Sequence, residues 1–296
     1  NNMEDVSVRT EGGDFDYVRA KEGGLNAPFM SIYVPSSYQE TGGAKAKADS
    51  LIELVENLAA NHPDKFAVAA SPAEVEKIVA DGKIALPMGM ENGAPIEDDL
   101  KNVAHFHGRG IRYITLTHGK DNQICDSSYD TTGTWGGISP FGREVMAEMN
   151  RVGIMVDISH VSDNAFYDVM KIAKAPAIAS HSSCRAFTPG FERNMDDEMI
   201  KTLGENGGVI QINFGSSFLS EESRNKSTKN RERIRVYAES NDLKMGDEEL
   251  MKYSREVTQE NPVYADVTDV ANHIDHVVKL AGIDHVAFGS DFDGVG

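Results

Sequence analysis

Ile154-Met155-Val156-Asp157-Ile158-Ser159-His160 is a short apolar, β-branched run that ends on polar residues. An amphipathic segment, Phe141 to Val152, closes at Gly153 just before it, and a second, Asn164 to Ala173, follows. A short apolar, β-branched run between two segments of helical period is a strand of a parallel sheet with its crossover helix. Six further runs repeat the unit: Ala27 to Val34, Ile84 to Met90, Tyr113 to Thr117, Ala177 to Ala179, Val209 to Phe214 and Val286 to Gly289. Helices are expected between them at Ala44 to Ala60, Pro72 to Ala80, Ile96 to His107, Asp196 to Leu203 and Val267 to Leu280. Ser71-Pro72 and Ser139-Pro140 each offer an N-cap followed by a first-turn proline. Gly82, Gly110, Gly153 and Gly282 offer the left-handed residue that ends a helix. Alternation of this kind is an α/β fold with a parallel sheet, either open and doubly wound or closed into a (β/α)8 TIM-like barrel.

With 296 residues, 40% of them apolar, the chain can bury one large core, and a single catalytic barrel domain over residues 1–296 is expected. Residues 216–265 break the rhythm. They are charged, weakly amphipathic and longer than a strand-to-helix connection needs, and are expected to form a helical insertion over one face. Asp and Glu number 47 against 29 Lys and Arg, a net charge of -18 that repels nucleic acid and anionic membranes. No run approaches the roughly 20 apolar residues of a membrane span. Cys125 and Cys184 form no zinc-thiolate spacing and no disulfide framework.

Polar residues fall at the C-terminal ends of five strands. Glu91, His118, His160, His181 and Asp291 each follow an apolar run directly. In a barrel these ends share one face, where barrel enzymes keep their active sites. Carboxylate and imidazole suit borderline divalent cations, and Glu91, His160 and His181 form a three-ligand set that leaves a position open for water. A cation in such a set activates water at neutral pH, which accounts for a sequence with no G-x-S-x-G nucleophile elbow. Two other pairs look like chelating motifs but are not expected to bind metal, the first being read as surface residues. His105 and His107 lie in a helix tail, and His273-Ile274-Asp275 lies inside an amphipathic stretch rather than at a strand end.

The chain resembles the membrane (renal) dipeptidase family, zinc metallopeptidases of the amidohydrolase-like barrel type. The resemblance is carried by Glu22-Gly23-Gly24 through Tyr33-Val34-Pro35, Gly89-Met90-Glu91-Asn92-Gly93, Tyr113 through His118 and Ser139-Pro140-Phe141-Gly142. It continues through Asp157-Ile158-Ser159-His160-Val161-Ser162, Ser180-His181-Ser182-Ser183, Arg193-Asn194 and Gly289 through Gly294. It implies that Glu91 bridges two zinc ions and that His160 and His181 complete the ligands of one. It further implies that His118 holds the scissile carbonyl oxygen, that Asp291 is the acid/base, and that Arg193 anchors the substrate's carboxylate. The implied activity is hydrolysis of dipeptides, and the resemblance allows a D residue at their C-terminal position.

The family's first strand ends in His-x-Asp, which binds the other zinc, and this sequence begins beyond that point. Two zinc ions are therefore expected in the full-length protein, with a first strand and a C-terminal closing segment lying outside residues 1–296. Two other readings compete: another metal-dependent amidohydrolase, a deacetylase or lactonase, or a degenerate non-catalytic binding protein. Small dipeptides are the expected partners, and a homodimer is allowed. The sequence opens at Asn1 rather than at an initiator methionine. Export to the periplasm or cell surface is favoured over the cytoplasm.

Overall fold

The structure, a computed structural model, describes residues 4–292 and 294. Its strands are β1 (Met30–Tyr33), β2 (Phe66–Val68), β3 (Ile84–Leu86), β4 (Met88–Glu91), β5 (Ile111–Thr115), β6 (Met155–Asp157), β7 (Ile178–Ser182), β8 (Val209–Ile212) and β9 (Val286–Phe288). Seven follow one another in the order β1-β4-β5-β6-β7-β8-β9, while β2 and β3 pair separately. The order never reverses along the chain. A doubly wound sheet reverses at a switch point, so the winding is that of a TIM-like barrel.

Two compact units divide the chain, Asn1–Ser180 with Thr202–Val209, and His181–Lys201 with Ile210–Gly296. In the first, β1, β4, β5, β6 and the start of β7 pair in parallel. The core between them and their helices is built from side chains such as Ile32, Met88, Met90, Ile114 and Phe166, all fully buried. Gly89 in β4 stands opposite Tyr113 of β5, and a Cβ there would come within 2.0 Å of the tyrosine ring. Only glycine fits beneath that ring.

The expected strand Ile84 to Met90 is two strands. Pro87 has no N–H to continue a ladder, and its carbonyl accepts instead from Met30 N–H at 2.8 Å. Residues before it pair with β2, and residues after it join the main sheet. The strand β2 was not anticipated, since three residues around one buried Phe66 carry no periodicity. The expected helix Ile96 to His107 is a short 3-10 turn, Ala94–Ile96, and a helix, Lys101–Gly108. Ser139 caps the helix Pro140–Val152 by accepting from Gly142 N–H at 2.8 Å, and Gly153 ends it at φ 91°.

In the second unit β8 and β9 pair in parallel. The insertion is helical, as expected, with helices Ser216–Leu219, Glu221–Ser240 and Glu248–Glu260. The two longer helices meet through a stacked pair, Tyr237 and Tyr253, with ring centroids 3.8 Å apart, and through Asn230, whose amide donates to the Asn261 backbone carbonyl and accepts from the Asn261 side chain. Among the described residues no helix is long and apolar enough to cross a membrane.

His273 is fully buried in this unit. Its Nδ1 accepts from Cys184 N–H at 2.9 Å, and its Nε2–H faces the Leu219 carbonyl at 2.9 Å, so the ring is the neutral Nε2–H tautomer. Both nitrogens are occupied by backbone, which fits the expectation that His273 is not a metal ligand. Burial holds its pKa below the ordinary 6.5, against the opposing pull of the Leu219 carbonyl. The stability it contributes is then complete above that ordinary value and is lost as pH falls towards the lowered one. Melting temperatures measured between neutral and mildly acid pH should decline less steeply in His273→Gln than in the wild type. Equal slopes would show that His273 does not set acid lability.

Candidate metal centre

Glu91 is the last residue of β4, and its backbone lies opposite Tyr33 of β1. His118 and His160 each follow their strand by three residues. Glu91 Oε1 stands 3.5 Å from His118 Nε2 and 3.4 Å from His160 Nε2, and the two imidazole centroids are 4.2 Å apart. The second carboxylate oxygen, Oε2, accepts from the Ser31 hydroxyl at 2.9 Å. One oxygen is thus held by β1 while the other faces both rings.

The loops that carry these groups are held by buried amides and hydroxyls. Asn92, at φ 80°, donates to the Val34 carbonyl at 2.8 Å and accepts from Ala94 N–H. Asn122 donates to the Leu116 carbonyl and accepts from Ile124 and Cys125 N–H, and so shapes the loop after His118. Two neighbours in that loop fasten both histidines. The Ser127 hydroxyl donates to the His118 carbonyl at 2.5 Å, and Ser128 N–H donates to the His160 carbonyl at 2.8 Å. His160 itself adopts φ 71°, where non-glycine residues are uncommon.

Tyr33 and Tyr129 flank the cluster, with ring centroids 4.8 Å from His118 and 5.9 Å from His160. Burial, and then the Glu91 charge, push the Tyr33 hydroxyl above its ordinary pKa.

The donor set fits a divalent cation. Ligand bonds of about 2.1 Å in a tetrahedron place donor atoms about 3.4 Å apart, and the two Glu91–histidine distances match. One carboxylate and two imidazoles, without thiolate, suit zinc or a similar borderline ion.

The remaining candidates stand in the second unit. His181 is buried in β7, which runs three residues further than expected, to Ser182. Arg193 is buried, donating from Nη1 to the Ser182 hydroxyl and from Nη2 to the His181 carbonyl, both at 2.7 Å, with the Phe218 ring 5.4 Å away. Asp291 follows β9 by three residues at φ 58°, and its Oδ2 accepts from the amide of fully buried Asn213 at 3.0 Å. Gly294 N–H donates to the Asp291 carbonyl; Asp293, between them, lies outside the described residues. His105, of the pair read as surface residues, is part-buried and engaged by Asp49 at 2.8 Å.

Ser31, Asn92, Asn122, Ser127, Ser128 and Asn213 escaped the sequence reading. Only the position of Asn92 beside Glu91 offered a signal.

A βα-wound parallel sheet with a carboxylate–imidazole cluster at its strand ends defines the class of barrel metallohydrolases. The chain belongs to the membrane dipeptidase family, peptidase family M19, whose model matches residues 1–296. An uncharacterized dipeptidase of Schizosaccharomyces pombe is 30% identical over 292 residues, 95% of this chain and 61% of that protein. The chain spans about three-fifths of the length of the curated relatives it matches. Among solved structures, the probable dipeptidase PvdM of Pseudomonas aeruginosa shares the fold, with a TM-score of 0.82 at 24% identity over 98% of this chain and 80% of its own. A metallo peptidase from Rhodobacter sphaeroides, solved with a phosphinate mimic of the dipeptide L-Ala-D-Ala, has a TM-score of 0.76 at 26% identity over 97% of this chain and 79% of its own.

Proposed function

We propose that the protein hydrolyses the peptide bond of dipeptides with the help of zinc held by Glu91, His160 and His181. The observation that carries this reading is the spacing of Glu91 Oε1 and His160 Nε2, 3.4 Å apart as two ligands of one cation would be, with the more exposed His118 beside them at 3.5 Å; His181 as the third ligand is what the family resemblance implies. Family membership and the dipeptide mimic bound to the Rhodobacter protein support dipeptides as the substrate class. They also support a substrate that carries a D residue at its C-terminal end.

Zinc supplies charge that polarises the scissile carbonyl and lowers the pKa of water. The chain's own groups do the rest. Glu91 supplies the negative charge that retains the cation, and Ser31 keeps Oε1 turned towards the histidines. His118, the most exposed of the three, with 24% of its side chain accessible against 6% for His160, presents its ring to the carbonyl oxygen and steadies charge developing there. Asp291 takes the water proton and returns it to the leaving amine, while the Asn213 amide holds its carboxylate in place.

Arg193 anchors the substrate's carboxylate. A guanidinium has five N–H donors, so it can hold the end of β7 and grip a carboxylate together. A charge-assisted hydrogen bond contributes about 1.5–3 kcal/mol, or about 10- to 150-fold in affinity. Arg193→Met should lower kcat/KM for a dipeptide by about that factor and leave metal content unchanged. A dipeptide amide, with no carboxylate to lose, should be a poor substrate that the substitution harms little further. Equal losses on both substrates would remove Arg193 from carboxylate recognition and favour a general amidohydrolase. An N-acetylated amino acid and a lactone, included in the same panel, should turn over poorly; preferred turnover of either would replace the dipeptide reading.

A further inference from the structure

We propose that Asp157 is a positioning residue of the cation site, an inference that rests on reading Glu91 and His160 as cation ligands. Asp157 ends β6, three residues before His160, and is fully buried. Its Oδ1 accepts from Ser159 N–H at 3.0 Å and from Ser180 N–H at 2.9 Å. Its Oδ2 accepts from the Thr115 hydroxyl at 2.5 Å and the Ser180 hydroxyl at 2.6 Å. One carboxylate therefore joins the last residue of β5, the turn after β6 and the middle of β7, at the ends where those strands lead into His118, His160 and His181.

A buried carboxylate carries a large desolvation cost unless donors surround it. Four donors do so here, which is more than strand pairing requires. What they secure is local. His160 sits at φ 71°, and a backbone in that region persists only when its surroundings over-determine it. Two bonds hold the turn from opposite sides, Ser159 N–H to Asp157 Oδ1 before His160 and Ser128 N–H to the His160 carbonyl. Without the first, the turn can relax towards an ordinary conformation and carry the imidazole away from its position 3.4 Å from Glu91 Oε1. A group that orients a metal-ligating histidine from behind is a lever on affinity.

The test is equilibrium titration of the metal-stripped protein with Co2+, following both affinity and the visible absorption that reports coordination geometry. Asp157→Ala should weaken Co2+ binding by about 100-fold, the upper end of the range for outer partners of a ligand, and should alter the spectrum. Asp157→Asn keeps an oxygen for the two backbone N–H groups and places its NH2 against two hydroxyls that can turn to accept. It should recover most of the affinity and a wild-type spectrum. Should Asp157→Ala fail to fold, Thr115→Val combined with Ser180→Ala removes both hydroxyl donors and keeps the carboxylate, with a loss of about tenfold expected. A folded Asp157→Ala protein, or in its place the double variant, with unchanged affinity and spectrum would overturn the inference even if its melting temperature fell. Wild-type protein that binds no Co2+, with Glu91→Gln indistinguishable from it, would instead overturn the underlying reading.

Discussion

Glu91→Gln is expected to weaken zinc binding by more than about 100-fold, beyond the range typical of outer partners of a ligand, and to abolish hydrolysis along with it. The carboxylate is the one negative group of the cluster, and its Oε1 faces both imidazole Nε2 atoms at 3.4 and 3.5 Å. An amide has the same shape but no charge, and either its oxygen or its NH2 must face the cation. Ser31 can accept as readily as donate, so the glutamine side chain keeps a partner on β1 and the fold survives. Zinc per chain after dialysis, measured beside turnover, reads both effects. Full occupancy with near-normal turnover would remove Glu91 from the ligand set.

Asp291→Asn should lower turnover by about 100- to 10,000-fold, the usual contribution of a general acid/base, and leave bound zinc unchanged. The substitution is informative because of the backbone. Asp291 adopts φ 58°, a conformation that Asn tolerates as well as Asp does, so the turn to Gly294 is preserved while the proton-carrying group is lost. Asn213, which donates to Oδ2 at 3.0 Å, finds the amide oxygen in its place. A loss below about tenfold, far short of acid/base magnitude, would confine Asp291 to holding that turn.

Much of this was legible because strands announce themselves by short apolar runs and barrels put their chemistry where those runs end. Glu91, His118 and His160 could be named from that rule alone, and the structure brings these three together. The rule cannot see across the chain. Ser127 fastens His118 from nine positions away, Ser31 reaches Glu91 from sixty, and Asn122 reaches back to the Leu116 carbonyl. Hydroxyls and amides of this kind look like ordinary loop residues until folding buries them. Local pattern also blurred the break at Pro87. The run Ile84 to Met90 is continuous in hydrophobicity, and the missing proline N–H divides it between two sheets. His273 shows the opposite case, since its position inside an amphipathic stretch already argued against a ligand, and its two backbone partners account for both ring nitrogens.

The most direct test of the central claim is amino-acid release from a dipeptide such as L-Ala-D-Ala by the full-length protein, followed before chelation, after removal of metal, and after zinc is returned. Hydrolysis should disappear with the metal and return with zinc. Hydrolysis that persists in the metal-free protein, or no hydrolysis with zinc bound, would contradict that claim.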